Sequence, residues 1–382
     1  MKILIDATAA LMGGGQTYLI NLLNYTEILE HDIIILSPKK LTLPSIQNIH
    51  RIDVDKSLEN PFIRAVWMRR YLPDLIKERK VDILFCPGGL ITKGIPSNCV
   101  KVTMFRNMIP FDLKQRVKYP LGYMRFRNWL LERLLLDSMI EADLVIFISE
   151  YASKVIKKRA KKKLRNTVII PHGLSAEFRI FDKKAIPRPQ WLPAEDYLLY
   201  VSILDVYKAQ IELIQGFALL KKWRQTSEKL LLVGPDEERS YYTKMIKKEI
   251  VKHGLQNDVI ITGPVPYNEL PALYYHAKVN IFASECENCP NILLEALGAG
   301  RPTLVSDCEP MPEFGGDSVE YFDPTSPEDF ANSIIRFIDD ENKMKELAKK
   351  AGERSLLFDW EKVGRLTWQS IENIYNSKTI NM

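Results

Sequence analysis

Ala283-Ser284-Glu285-Cys286-Glu287-Asn288-Cys289-Pro290-Asn291-Ile292-Leu293-Leu294-Glu295-Ala296-Leu297-Gly298-Ala299-Gly300-Arg301-Pro302 passes from the end of an apolar run, through a polar loop, into an amphipathic stretch. Val279 to Ala283 reads as a buried strand, Pro290 to Gly298 as a helix and Pro302 to Ser306 as the next strand. Short apolar runs alternating with longer amphipathic ones are the pattern of a parallel sheet with crossover helices. Pro290 suits a first helical turn, where its missing N–H costs nothing, and the helix N-terminus offers amides and partial positive charge to a phosphate. Glu287 precedes that turn and Glu295 lies along the helix. Two readings stand: both acids face one ligand and accept from its hydroxyls, or one is a loop acid and the other a solvated helix acid.

The same alternation extends upstream through Tyr197 to Ser202, a helix over Gln210 to Trp223, Leu230 to Val233, a helix over Tyr241 to His253, and Val259 to Thr262. Before it, Pro187, Pro189 and Pro193 mark a linker, since proline neither continues a helix nor joins a sheet interior. Beyond the linker the plan repeats, with strands expected at Lys2 to Asp6, Ile33 to Leu36, Ile49 to Val54, Val81 to Cys86, Val100 to Phe105, Leu144 to Ile148 and Thr167 to Ile170. A chain of 382 residues exceeds one ordinary core. The expectation is α/β: two Rossmann-like, doubly wound parallel-sheet domains facing a cleft. Ligands of such sheets sit beyond the carboxyl ends of the strands.

The balance of 46% hydrophobic and 26% charged residues is that of a globular chain and excludes disorder. Met1 to Asp6 meets an acid after three apolar residues, unlike a secretion signal, and no stretch approaches the ~20 apolar residues of a spanning helix. The five cysteines, Cys86, Cys99, Cys286, Cys289 and Cys308, are too sparse for a disulfide framework. A cytoplasmic location follows as the expectation. The net charge of +5 is modest, yet Lys154, Lys157, Lys158, Arg159, Lys161, Lys162, Lys163 and Arg165 crowd together without an acid. This cluster is a solvated helix end or the contact for an anionic membrane surface or acceptor. Without interleaved aromatics or a DNA- or RNA-binding motif, nucleic acid is not expected.

Gly13-Gly14-Gly15-Gln16-Thr17 lies between the first strand and a helix placed from near Tyr18. Amides of Gly14 and Gly15 can approach a phosphate there, or the run is merely a tight turn. Cys286-x-x-Cys289 after a strand has the spacing of a redox pair, and with Cys308 three possible zinc ligands, but no motif supplies a fourth. Reduced, unliganded thiols and no metal are expected.

The Ala283 to Pro302 segment resembles the paired-glutamate signature of glycosyltransferase family 4, whose members have the GT-B fold and retain anomeric configuration. The resemblance continues through Val168-Ile169-Ile170-Pro171-His172-Gly173, Leu232-Val233-Gly234, Gly263-Pro264-Val265-Pro266 and Tyr321-Phe322-Asp323-Pro324. It implies that Glu287 holds the donor sugar, Glu295 the ribose, and amides around Asn288, Cys289, Pro290 and Asn291 the sugar and phosphates. Lys208 neutralises the diphosphate, whose charge grows as it leaves. The base is read near Pro264 and Val265. Asn107 stands near the reacting sugar, and Arg106 and His172 are possible cleft residues, His172 equally a structural histidine. No side-chain base is required, because the departing phosphate takes the acceptor's proton. Where the family usually has an arginine near the lysine, this chain has Ile203; either another cation replaces it, with Arg106 or Arg301 as candidates, or phosphate neutralisation is weaker and the enzyme slower.

The resemblance further implies an acceptor-binding domain over 1–185, a donor-binding domain over 190–360, and a C-terminal helix, about 360–382, returning to the first domain. The expected activity is transfer of a sugar from UDP- or GDP-sugar to a glycan or lipid-linked acceptor, with no cofactor. The setting is bacterial surface polysaccharide or lipopolysaccharide assembly, on the inner face of the membrane. A nucleotide-sugar 2-epimerase and a non-catalytic nucleotide-sugar or glycan-binding protein are the alternatives.

Overall fold

A computed structural model describes residues 1–10, 13–25, 31–44, 46, 48–181, 186–236 and 240–380. The strands are β1 (Lys2–Asp6), β2 (Asp32–Pro38), β3 (Ile49–Val54), β4 (Ile83–Cys86), β5 (Val100–Phe105), β6 (Leu144–Phe147), β7 (Thr167–Ile169), β8 (Tyr197–Val201), β9 (Lys229–Val233), β10 (Val259–Gly263), β11 (Val279–Phe282), β12 (Thr303–Ser306) and β13 (Glu320–Phe322). The helices are α1 (Gly14–Asn24), α2 (Pro61–Glu78), α3 (Leu113–Lys118), α4 (Tyr123–Glu141), α5 (Glu150–Arg159), α6 (Gln210–Arg224), α7 (Tyr241–Lys252), α8 (Leu270–His276), α9 (Asn291–Gly298), α10 (Met311–Gly315), α11 (Pro327–Asp339), α12 (Glu341–Ser355) and α13 (Trp360–Ile380).

β3-β2-β1-β4-β5-β6-β7 form one sheet and β10-β9-β8-β11-β12-β13 a second. Every ladder is parallel, so each strand must be followed by a crossover. Both faces are covered, which is why β4, β6, β8, β11 and β12 are buried along their whole length; β4, β6 and β8 read as unbroken apolar runs, while β11 buries Asn280 and β12 buries Thr303 and Ser306. Strand order reverses between β1 and β4 and, in the same way, between β8 and β11. Those are the two places where successive crossovers diverge and a crevice opens beyond the carboxyl ends.

Helix starts follow local chemistry. Asn60 accepts from the amides of Phe62 and Ile63 ahead of α2, with Pro61 in the first turn, and Ser326 does the same for Asp329 ahead of α11, with Pro327. α1 opens earlier than the sequence places it, at Gly14, because Gly13 adopts φ 63° and its carbonyl already accepts from the amides of Gln16 and Thr17. β13 extends the second sheet where the sequence pattern gives three residues including an acid.

By packing, Met1–Phe111, Phe126–Gly173 and Trp360–Met382 form one compact unit, and Asp112–Arg125 with Leu174–Asp359 a second. Two departures from the expected boundary at 185 have visible causes. Leu174 pairs with Asp359, and its amide donates to the Phe358 carbonyl at 2.9 Å, while Phe178 packs on Tyr267 and Tyr274, so 174–181 goes with the second unit. Residues 182–185 lie outside the described residues. Asp112–Arg125 goes with the second unit through polar contacts described below. α13 packs in the first unit: Thr367 meets Tyr18 at 3.4 Å, Glu372 pairs with His31 at 2.8 Å, and Lys378 with Asp143 at 2.9 Å.

Candidate active site

The reversal point of the second sheet collects the paired groups. Lys208 follows β8 and Glu287 follows β11, the two strands that flank it. Lys208 ends a short 3-10 turn, Val206–Lys208, capped by Asp205, whose carboxylate accepts from the Val206 amide at 2.7 Å. The next residue, Ala209, is fully buried at φ 52°, a left-handed conformation that a residue with a Cβ adopts only when packing holds it there. The Lys208 ammonium is thereby fixed. It is 4% exposed, bonds directly to Glu287 Oε1, and stands 5.0 Å from the Tyr207 ring and 5.4 Å from that of Phe282. Ser284 Oγ donates to the same Glu287 oxygen at 2.7 Å. Burial, with the Glu287 charge adding to it, pushes the Tyr200 and Tyr207 phenols far up, so both are neutral donors at neutral pH. The loops after β8 and β9 meet tightly at Gly234, φ 155°, where a Cβ would lie 2.0 Å from the Ser202 carbonyl oxygen.

Glu295, on α9, has a separate set of partners. Tyr274 and Tyr267 donate to its two oxygens at 3.0 and 3.3 Å. Burial lifts its pKa from 4.5 to about 7, with the tyrosine bonds opposing and the Glu177 charge assisting. Two phenols and one carboxyl form a small polar island lined by Phe178. The N-terminus of α9 has no side-chain cap and no acid in its first turn.

All five cysteines are free. The Cys286 thiol is pushed well above its ordinary range by burial and by the Asp112 and Glu287 carboxylates. The reactive thiol of a redox pair is shifted the opposite way, so the Cys286 environment does not favour a thiolate. Among the described residues no group of three or more His, Cys, Asp or Glu is placed to hold a metal ion.

The other expected residues fall as follows. Ile203 is 46% exposed at the end of β8, its carbonyl held by Gln210 Nε2 at 2.8 Å. Arg301 cannot replace the missing arginine: it precedes β12, at the amino-end edge of the sheet, and its Nε donates to the Tyr275 carbonyl at 2.5 Å. Pro264 and Val265 follow β10, Val265 half-buried against the core. In the first unit, Gly14 and Gly15 form the first turn of α1, and the Arg106 guanidinium lies 3.2 Å from where a Cβ on Gly15 would be. Arg106 also sits 5.7 Å over the Tyr18 ring. Asn107 is exposed after β5, its side-chain Oδ1 accepting from the Ile109 amide at 3.3 Å. His172 is buried between Tyr18 and Trp360, ring centroids 5.4 and 5.6 Å away. In the basic cluster Arg159 pairs with Glu132 and Arg165 with Asp143, while Lys157, Lys158 and Lys161 to Lys163 are exposed.

Sequence reasoning missed Ser284, Tyr267 and Tyr274, and the roles of Asp205 and Glu285. Only Glu285 had a signal, as a further acid in the quoted loop.

Two parallel-sheet units of this strand order, with a lysine and a glutamate at the reversal point of the second, define the GT-B class. Anabaena HepE, solved in complex with UDP and glucose, has the same fold, with a TM-score of 0.70 over 97% of this chain and 99% of that one at 17% identity. Residues 12–178 match Glycosyltransferase Family 4, and residues 182–354 match Glycosyl transferases group 1. Together the two matches span most of the chain, which belongs to the glycosyltransferases that they describe. The serotype-specific mannosyltransferase WbdA of Escherichia coli is 24% identical over 75% of the chain, which spans 35% of that protein's length. The O-antigen chain mannosyltransferase B of Escherichia coli is 23% identical over 65% of the chain and 62% of its own.

Proposed function

We propose that the chain is a retaining glycosyltransferase that moves a sugar from UDP- or GDP-sugar to a glycan or lipid-linked acceptor in bacterial surface polysaccharide or lipopolysaccharide assembly. The observation that carries this reading is the buried Lys208–Glu287 pair at the reversal point of the second sheet. A buried ammonium fixed before the donor arrives costs no reorganisation when the diphosphate gains charge. In the reaction the bond from the anomeric carbon to phosphate breaks, the acceptor oxygen bonds to the same face, and its proton goes to the departing phosphate. Glu287 accepts from sugar hydroxyls, Glu295 from the ribose, amides of Asn288 to Asn291 meet sugar and phosphate, and backbone at Pro264 and Val265 meets the base. Gly14, Gly15, Arg106 and Asn107, beyond β1 and β5, are assigned to phosphate and sugar contacts of the first unit. His172, enclosed by two rings, is assigned a packing role. No metal enters this scheme.

The relatives named for O-antigen and serotype support a surface-glycan acceptor. We place the protein on the cytoplasmic side of a membrane, with Lys154 to Arg165 toward anionic lipid. α4 supports that placement: Phe126 and Trp129, 60% and 40% exposed, stack at 5.8 Å, and Arg133 lies 4.3 Å over Trp129. Among the described residues no helix is long and apolar enough to cross a membrane.

The test is calorimetric titration of UDP, GDP, ADP and CMP into wild type and Lys208→Met. Binding of UDP or GDP that Lys208→Met weakens tenfold or more supports the donor site. No binding at millimolar concentration would leave exposed Ile203 as the leading fact and favour a glycan-binding protein; an epimeric nucleotide sugar formed without acceptor would favour the epimerase.

A further inference from the structure

α3 lies in Asp112–Arg125, a segment that belongs by packing to the second unit although the chain on either side of it belongs to the first. Apolar burial explains little of this, because Leu113 and Val117 are 55% and 61% exposed and the Tyr119 ring is the segment's main buried apolar surface. The contacts are polar, and they converge on two loops. Gln115 Nε2 donates to Glu285 Oε2 at 3.1 Å and Lys118 Nζ pairs with Glu285 Oε1. Tyr119 donates its hydroxyl to Asp205 Oδ1 at 3.1 Å. Asp112 faces the Cys286 thiol.

Each partner adjoins the Lys208–Glu287 pair without belonging to it. Glu285 and Cys286 immediately precede Glu287, and the Glu285 amide donates to the Tyr207 carbonyl at 2.8 Å, tying that loop to the turn bearing Lys208. Asp205 caps the turn, and its carbonyl accepts from the Lys208 amide at 2.9 Å. We infer that Gln115 and Lys118, acting through Glu285, and Tyr119, acting through Asp205, are positioning residues that hold Glu287 and Lys208 in register for transfer. The inference rests on the donor-site reading above. Glu285 is 7% exposed at its side chain, so its charge needs these two donors; without them the carboxylate turns to water and the loop turns with it. A displacement near 1 Å costs about a hundredfold in rate.

The test compares Lys118→Met/Gln115→Leu, Tyr119→Phe and Lys118→Arg with wild type and with Lys208→Met. Three quantities are read: nucleotide affinity by calorimetry, Tm, and steady-state nucleotide release from UDP-glucose and GDP-mannose with water as acceptor. The expected result is a tenfold to hundredfold loss of kcat in the double variant, with nucleotide Kd within about threefold of wild type and Tm little changed. Tyr119→Phe should fall between, and Lys118→Arg, which keeps a cation against Glu285, should retain most of the wild-type rate. An unchanged kcat in the double variant, with Lys208→Met inactive, overturns the positioning role while leaving the donor site in place. Equal losses of Tm and rate that Lys118→Arg does not rescue make α3 a structural brace and also overturn it. A wild type that binds no nucleotide and whose Lys208→Met variant behaves identically removes both claims together.

Discussion

Replacing Glu295 by Gln should stabilise the ligand-free protein at pH 8 and do almost nothing at pH 4.5. The carboxyl is 8% exposed, and burial lifts its pKa from 4.5 to about 7. Between those values the unfolded chain has released the proton and the folded chain still holds it, so folded protein binds more protons and stability falls as pH rises. The loss begins near pH 4.5, is complete somewhat above 7, and at ~1.36 kcal/mol per pH unit reaches roughly 3 kcal/mol. Glutamine has the same shape and no charge. Its carbonyl accepts from one of Tyr267 and Tyr274, and its amide group donates to the other. The assay is urea unfolding of both proteins at half-unit steps from pH 4.5 to 8.5, taking the difference between their stabilities at each pH. That subtraction cancels every other titrating group. The difference should grow by about 3 kcal/mol in favour of the variant, centred between the two pKa values. A difference flat to within ~0.5 kcal/mol would refute the reasoning. The same variant should bind nucleotide more weakly at pH 8, since a site that pays for a buried charge does so for its ligand.

Gly234→Ala should cost at least ~3 kcal/mol or prevent soluble expression, because the new Cβ would meet the Ser202 carbonyl oxygen at 2.0 Å; an unchanged urea midpoint would contradict the packing of the two loops. Ile203→Arg, at an exposed site, should leave stability within about 0.5 kcal/mol and tighten UDP or GDP several-fold without affecting the nucleoside, read by calorimetry; equal effects on both ligands would argue against a diphosphate beside Ile203. Phe126→Ser with Trp129→Ser should weaken sedimentation with anionic lipid vesicles at every salt concentration, whereas neutralising Lys161 to Lys163 should mainly flatten the salt dependence. Unaltered sedimentation of the aromatic pair would remove α4 from the contact.

Much of the fold is legible because short runs rich in apolar residues alternate with longer amphipathic ones, the signature of parallel strands joined by crossover helices. β1, β3 and β5 lie where their sequence runs lie, to the residue. β13 is invisible to that rule: it is three residues long and carries Glu320 at its open edge. α1 escapes its expected start because glycine is a poor helix interior residue, yet a left-handed Gly13 makes a workable cap. At the candidate site, strand order brings Lys208 and Glu287 to the loops after β8 and β11, while Glu295 lies apart with Tyr267 and Tyr274. Their partners are non-local. Nothing in Tyr267 or Tyr274 announces a hydroxyl aimed at a carboxyl on another helix, and nothing in Gln115 or Lys118 announces Glu285, which lies far along the chain. The allegiance of 112–125 was hidden for the same reason.

The return of α13 to the first unit sets a clock on synthesis. A ribosome delivers β1 to β7 first, but Tyr18, His31 and Asp143 wait for Thr367, Glu372 and Lys378. The whole of 174–359 must be made in between, roughly 10 to 40 seconds at ~5–20 residues per second. The unit begun first is thus the last to be completed, and in that interval the buried ring of Tyr18 and the groove for α13 stand open. A chain released after Asp359 should hold a finished second unit and a first unit whose sheet is made but whose α13 contacts are missing, the state in which a holdase chaperone would find it.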